Sequence, residues 1–206
     1  KADYILTISP FEQQYYQNIF SEKAIYIPVF HQNKHLEKIN PKGTKILYHG
    51  DLRIGDNVKA VQFLIDVFSD FPHELTIASS FENKSIQQKI ASKNNIHFVK
   101  INSQSAMDKL FKETHINILL TYQKTGIKLK LINSLYQGRF IIANSAMIDD
   151  TGLENLCDLT NNKQEIQEYI KKLFHEDFTD EMIENRRRKL QSFNTLESAK
   201  KIIELL

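Results

Sequence analysis

A chain of 206 residues with 41% apolar side chains has material for one large core or two small ones, and 27 basic against 25 acidic residues leave a formal charge of +2, too little for a surface built to grip nucleic acid. No apolar run approaches the roughly 18 residues that span a bilayer, and no charged-then-apolar leader opens the chain, which begins at Lys1 and so reads as part of something longer. The single cysteine, Cys157, excludes an intrachain disulfide and a cysteine-based zinc site; its apolar neighbours point to a buried thiol, which suits a reducing compartment.

In chain order, short apolar runs alternate with helical spacing. Strands are expected at residues 4–8 and 24–27 around a helix at 10–20, then at 45–49, 74–78, 96–99, 116–121 and 140–143, with a fainter one at 156–159. Helices are expected between them at 57–68, 83–92, 105–113 and 128–136; Val58, Val61, Ile65 and Phe68 share one face of the first. Strands that are apolar throughout, rather than alternating, belong to a sheet covered on both sides. The expected fold is therefore α/β, a Rossmann-like parallel sheet flanked by helices. From residue 162 only helices are expected, at 163–174, 180–191 behind a Thr179 cap, and 196–206, giving a helical C-terminal tail. Arg186-Arg187-Arg188-Lys189 shares its helix with Glu181 and Glu184 and reads as a solvated face.

The polar stretch 31–44, with Pro41 and Gly43, reads as a linker. It divides the chain into residues 1–40, a small βαβ piece and its connection, and residues 41–206, the main domain with its tail. A lone βαβ piece cannot bury its own faces. It is expected to pack against the flank of the main sheet or the last helix, or to swap into a second copy and make a homodimer.

Open parallel sheets bind ligands at the carboxyl ends of their strands, where loops enter helices. Thr125-Gly126-Ile127-Lys128 opens a helix on which Leu129, Ile132 and Leu135 recur at helical spacing, and Gly138 stands where a left-handed cap would stop it. The unpaired amides of that helix start, joined by Lys128 and Lys130, form a seat for phosphate. Upstream the same logic repeats: the run ending at His49 stops at Gly50, and Arg53 follows before the next helix. Arg53, Lys124, Lys128 and Lys130 suit a nucleoside diphosphate, with Lys100, Ile101 and Asn102 as a shelf for the base edge. His49 ends its strand on the ligand face, and Thr151 and Gly152 follow Asp149-Asp150 in a loop suited to a hydroxyl-rich ligand. Each of these features also has a plain reading as helix punctuation, solvated charge or an ordinary turn. His31 and His35 stand four apart without a carboxylate in register, so no metal site is expected, and no Walker loop, Gly-x-Gly-x-x-Gly run or Gly-x-Ser-x-Gly elbow is present.

Taken in order, Tyr48-His49-Gly50-Asp51-Leu52 followed by Asn57, then Leu75-Thr76-Ile77-Ala78, then Gly126-Ile127-Lys128-Leu129-Lys130-Leu131-Ile132-Asn133 with Gly138, resemble the C-terminal, donor-binding half of a GT-B glycosyltransferase of the group 1 (family 4) type. Residues 3–12 with Ile25-Tyr26-Ile27-Pro28 are similar to the close of that family's acceptor half and its interdomain linker. The resemblance implies a domain that grips a UDP- or GDP-linked sugar without a metal or other cofactor. It implies transfer to a glycan or lipid-linked acceptor held by an N-terminal half, with retention of configuration, in the cytoplasm or at the inner face of its membrane. The residues 1–206 alone would then bind donor but turn it over poorly or not at all. The family's two acidic positions, eight apart, fall on Thr125 and Asn133, so Asn133 becomes the ribose contact. The Arg and Lys that usually meet the diphosphate fall on Asp51 and Asp56, which leaves that task to Arg53, Lys128 and Lys130. These departures keep a second class in view, a non-catalytic nucleotide-sugar-binding or scaffold module of the same fold.

Overall fold

The computed structural model describes residues 2–33, 36, 39–123 and 128–205. Strands β1 (Ile5–Thr7) and β2 (Ala24–Tyr26), joined through helix α1 (Pro10–Phe20), form a two-stranded parallel sheet of their own. The main sheet comprises β3 (Lys45–His49), β4 (Leu75–Ser79), β5 (Ile96–Lys100), β6 (Thr114–Leu119), β7 (Phe140–Ala143) and β8 (Asp158–Leu159), all parallel, in the order β5-β4-β3-β6-β7-β8. The chain winds outward from β3 to β5, then crosses back to lay β6 on the other side of β3. That reversal is where the loops at the carboxyl edge diverge and leave a crevice.

Alternate residues of each strand face opposite layers. Ile46 and Tyr48 of β3 join Ile77 and Ile116 beneath α2 (Gly55–Phe68), α3 (Lys84–Ile90) and α7 (Lys163–Leu173), which contribute Leu64, Phe68, Ile86, Ile166 and Ile170. On the other face Leu47 and Ala78 meet Leu110 and Phe111 of α4 (Gln104–Glu113), while Leu119 and Ile141 meet Leu131, Ile132 and Leu135 of α5 (Leu129–Gln137). Each fully buried Ile, Leu or Phe among them contributes about 1.5–3 kcal/mol of transfer free energy, which is why these runs are apolar throughout. A single turn, α6 (Ser145–Ile148), follows β7, and α8 (Asp180–Leu190) and α9 (Thr195–Ile203) close the chain. Thr179 caps α8 as expected, its hydroxyl accepting from the Met182 amide at 3.3 Å.

Two expectations are corrected. Gly138 ends α5 with φ −101°, not in the left-handed region; a Cβ there would lie 2.5 Å from Asn117 Nδ2 and 2.8 Å from the Ser134 carbonyl, so close approach of strand and helix is what excludes a side chain. Arg186 is not on a solvated face. It is buried, and its guanidinium donates to the carbonyls of Leu135, Gly138 and Arg139, tying α8 to the end of α5. Arg139 is buried in turn and donates to the carbonyls of Asn40, Lys112 and Thr114. Cys157 is partly buried, and desolvation pushes its thiol up to about 12.

The N-terminal unit contrasts with this core. Helix α1 buries no residue, and Leu6, Phe11, Tyr15, Ile19 and Phe20 lie open in the single chain. The linker after it is strapped down: the His31 amide donates to Thr195 Oγ1 at 3.2 Å, its ring meets the Phe193 carbonyl at 2.8 Å, and Asn33 bonds to Asn133 and Gln137 of α5.

Candidate functional site

Two cavities open along the carboxyl edge of the main sheet. The first, about 680 Å³, lies at the ends of β3, β4 and β5 and is walled by His49, Gly50, Arg53, Ser79, Asn102 and Gln104 among others. The second, about 610 Å³, lies at the ends of β6, β7 and β8, with Phe63, Thr121, Asn144, Met147, Thr151 and Asn161 among its walls. Between them stands the β3–β6 crevice.

At the first cavity the chain turns sharply at Gly50, whose amide donates to the Ala78 carbonyl at 3.1 Å; a Cβ on it would meet the Asn57 side chain at 3.0–3.1 Å. Arg53 folds back on Asp51, with Nη2 2.7 Å from Oδ2 and Nε 3.1 Å from both oxygens, and lies 3.6 Å above the Phe81 ring. The guanidinium holds the Asp51 carboxyl below the usual carboxylate range. The pair is self-neutralising, so Arg53 offers the cavity a planar wall more than a net charge. Ser79 Oγ pins the loops on either side, accepting from the Leu52 and Phe81 amides. Ile101 and Asn102 line the cavity, whereas Lys100 points to Glu82 at 3.2 Å.

The crevice holds Lys130. Its ammonium donates to the Leu120 carbonyl at 2.9 Å and to Asn57 Oδ1 at 3.1 Å; burial, with Lys128 adding to it and Asp56 opposing, pushes its pKa down to about 8. Lys128, the residue before α5, is half-buried and also lowered by desolvation. His49 contacts Ser134 Oγ at 3.1 Å and packs edge-on to Phe111; burial and the neighbouring Lys130 push its pKa down to about 3, so the ring is neutral at physiological pH.

The structure thus brings His49, Gly50, Arg53, Ile101 and Asn102 to one cavity, with Lys130 beside it. Thr151 is in the other cavity, its hydroxyl donating to the Ile148 carbonyl at 2.6 Å, and Gly152 follows it with φ +76°. Asn133 faces the linker, its Oδ1 accepting from Asn33 Nδ2 at 2.8 Å. Lys124, Thr125, Gly126 and Ile127 lie outside the described residues, as does His35. Sequence reasoning passed over Asn57 and Tyr48 as site residues. The available signal was Asn57 in the first turn of a helix directly after a glycine turn, where a side-chain amide has backbone partners to find. Among the described residues no group of three or more His, Cys, Asp or Glu side chains could hold a metal ion.

Comparison with solved structures matches nearly the whole chain. Anabaena HepE in complex with UDP superposes with a TM-score of 0.74 at 15% identity, over 99% of this chain and 63% of that one. A glycosyltransferase from Rickettsia africae gives 0.72 at 14% identity, over 98% and 62%. Sucrose-phosphate synthase from Thermosynechococcus elongatus gives 0.70 at 15%, over 100% and 58%. The chain has the fold of the C-terminal half of a GT-B glycosyltransferase. It spans about three fifths of each of these three proteins, and at such identities the likeness is one of fold. No protein-family model and no curated protein matches it. With this fold the six-stranded parallel sheet supplies the architecture, while the crevice carries the Lys130 ammonium bonded to Asn57.

Proposed function

We propose that the chain is the donor-binding half of a glycosyltransferase, moving a sugar from a UDP- or GDP-linked donor to a hydroxyl of a glycan or lipid-linked acceptor. The observation that carries the reading is the Lys130 ammonium set into the β3–β6 crevice beside a cavity large enough for a nucleoside. The base lies against Ile101 and Asn102, walled by the Arg53–Phe81 stack. The diphosphate turns at Gly50 toward Lys128 and Lys130, and the sugar points along the sheet edge toward Thr151 and Gly152.

Chemistry at such a site is electrostatic. As the glycosidic bond breaks, negative charge grows on the departing diphosphate, and ammonium groups in a low-dielectric crevice stabilise it without reorganising. Lys128 and Lys130 supply the charge that a metal would otherwise bring. Anabaena HepE is solved with UDP and glucose, which favours a donor of this class. The acceptor belongs to an N-terminal half, and retention of configuration and a cytoplasmic or inner-membrane-face location are part of the same proposal; among the described residues no helix is long and apolar enough to cross a membrane.

Asp51 and Asp56 favour a second reading, a non-catalytic module of the same fold, because negative charge near a phosphate costs affinity. Thermal shift with UDP, GDP and their sugars separates the two. A rise in melting temperature with ligand at or below millimolar concentration supports the donor site. No shift across the series supports the module.

A further inference from the structure

We propose that Asn57 is the positioning residue for Lys130, holding its ammonium in the β3–β6 crevice as the cation that meets the donor diphosphate; this rests on the donor-site reading above. The geometry is a relay of side chains from three elements. Tyr48, buried on β3, donates its hydroxyl to Asn57 Oδ1 at 3.1 Å, and Asn57 Nδ2 donates to the Asp51 carbonyl at 3.0 Å, so both ends of the amide are fixed. The same Oδ1 receives the Lys130 ammonium at 3.1 Å, and the Leu120 carbonyl at the end of β6 receives it at 2.9 Å. Two acceptors among the described residues fix a lysine that would otherwise swing to water, and an ammonium has three donors, so the pair leaves capacity for a ligand oxygen. Gly50 belongs to the same arrangement, because a Cβ there would push on the Asn57 amide.

A neutral amide suits this task better than an acid. A carboxylate at position 57 would bind Lys130 more strongly but cancel the charge the diphosphate needs. The groups facing the ammonium are Asn57 and Asp56 of α2, Tyr48 and His49 of β3, and Lys128 at the start of α5; Lys128 and burial favour losing its proton, Asp56 favours keeping it. Since Lys130 titrates near pH 8, diphosphate binding above that pH takes up a proton.

The test uses inorganic pyrophosphate and UDP as probes, by calorimetry between pH 7 and pH 9.5, on the wild-type chain and on Asn57→Ala, Lys130→Met and the double variant. Asn57→Ala is expected to weaken both ligands about tenfold, as Lys130→Met does, and the double variant to lose no more than either single one. Additive losses overturn the proposal, since they place Asn57 in packing rather than behind Lys130. Asn57→Asp is expected to keep the fold, lose pyrophosphate affinity and flatten the pH dependence. If Asn57→Ala melts too low to assay, Tyr48→Phe replaces it, with a smaller loss that also vanishes in the Lys130→Met background.

The free protein separates failure of this inference from failure of the donor reading. The Lys130 side-chain nitrogen, followed by NMR against pH, should titrate near 8 in the wild type and higher in Asn57→Ala, where the released ammonium reaches water. A midpoint that stays or falls overturns the positioning role even if donor binds. A wild-type protein that binds neither probe refutes the donor reading, while a raised midpoint still upholds the relay.

Discussion

The N-terminal unit and the main sheet are built from the same motif, parallel strands joined through a crossover helix, yet they differ in what their apolar residues do. Helix α2 buries six of its 14 residues between β-sheet and neighbouring helices, whereas α1, 11 residues long and rich in Phe, Tyr and Ile, buries none. The difference is one of layers. A crossover helix has its apolar stripe covered only when the sheet beneath it is wide, and two strands of three residues each are not. Apolar content in a strand–helix–strand segment therefore reports a surface that needs a cover, without saying whether the same chain provides it.

The sharpest way to break this comparison is to truncate matched residues in the two regions. Leu64→Ala in α2 should cost about 2–5 kcal/mol in urea denaturation, the range for a large-to-small change in a packed core. Ile19→Ala in α1 should cost no more than about 0.5 kcal/mol. Equal costs would mean that α1 is part of the same cooperative core.

Acid should separate the regions next. The folded pKa of His49, about 3, lies below its unfolded value near 6.5, so the unfolded chain binds the extra proton between those limits. Stability from this group is therefore complete above pH 6.5 and is lost as pH falls toward 3, by on the order of 2–4 kcal/mol. His115, depressed chiefly by burial, loses in the same direction. His49→Asn should flatten the acid limb of a stability–pH profile. Signals of Tyr15 and Phe20 should not follow the His49 titration.

A smaller effect concerns the crevice. Lys128→Ala should weaken UDP binding by about 1–3 kcal/mol with little change in the ligand-free melting temperature. An unchanged affinity would move the phosphate elsewhere. The smallest expected change in stability, within about 0.5 kcal/mol, belongs to Phe11→Ser, Tyr15→Ser and Ile19→Ser combined, which should nonetheless reduce self-association in sedimentation velocity. A loss of folding instead would show that the open face is internal support.

Much of the fold was legible because local pattern and burial agree in the main sheet. β3 and β7 fall residue for residue on the expected runs, which stop at Gly50 and Asn144, and α1 begins at its Pro10. Arg186 was misread because a run of four cations suggests solvent, although it stands three after Ile183 and four before Leu190, on the apolar face of its helix. The two-residue β8 shows in the sequence only as the fainter run at 156–159, and the single turn α6 is too short for periodicity to mark. In the site, Gly50 and Ile101 could be placed from strand ends alone. The contact of Lys130 with Asn57, 73 positions apart, follows from β6 lying beside β3, which no local signal encodes.

The strapped linker changes how force passes between the two regions. His31 is clamped to the turn before α9, Asn33 to α5, and the carbonyls of Asn40 and Pro41 receive Arg139 Nε at 2.6 Å and the Phe178 amide at 2.9 Å. A pull on the N-terminal unit is thus delivered first to α5 and α9, and not to β3, the next strand in sequence. The joint that composition suggested to be a loose tether acts on these residues as a buckle, and its load falls on the same helix that carries Lys130 at its opening turn.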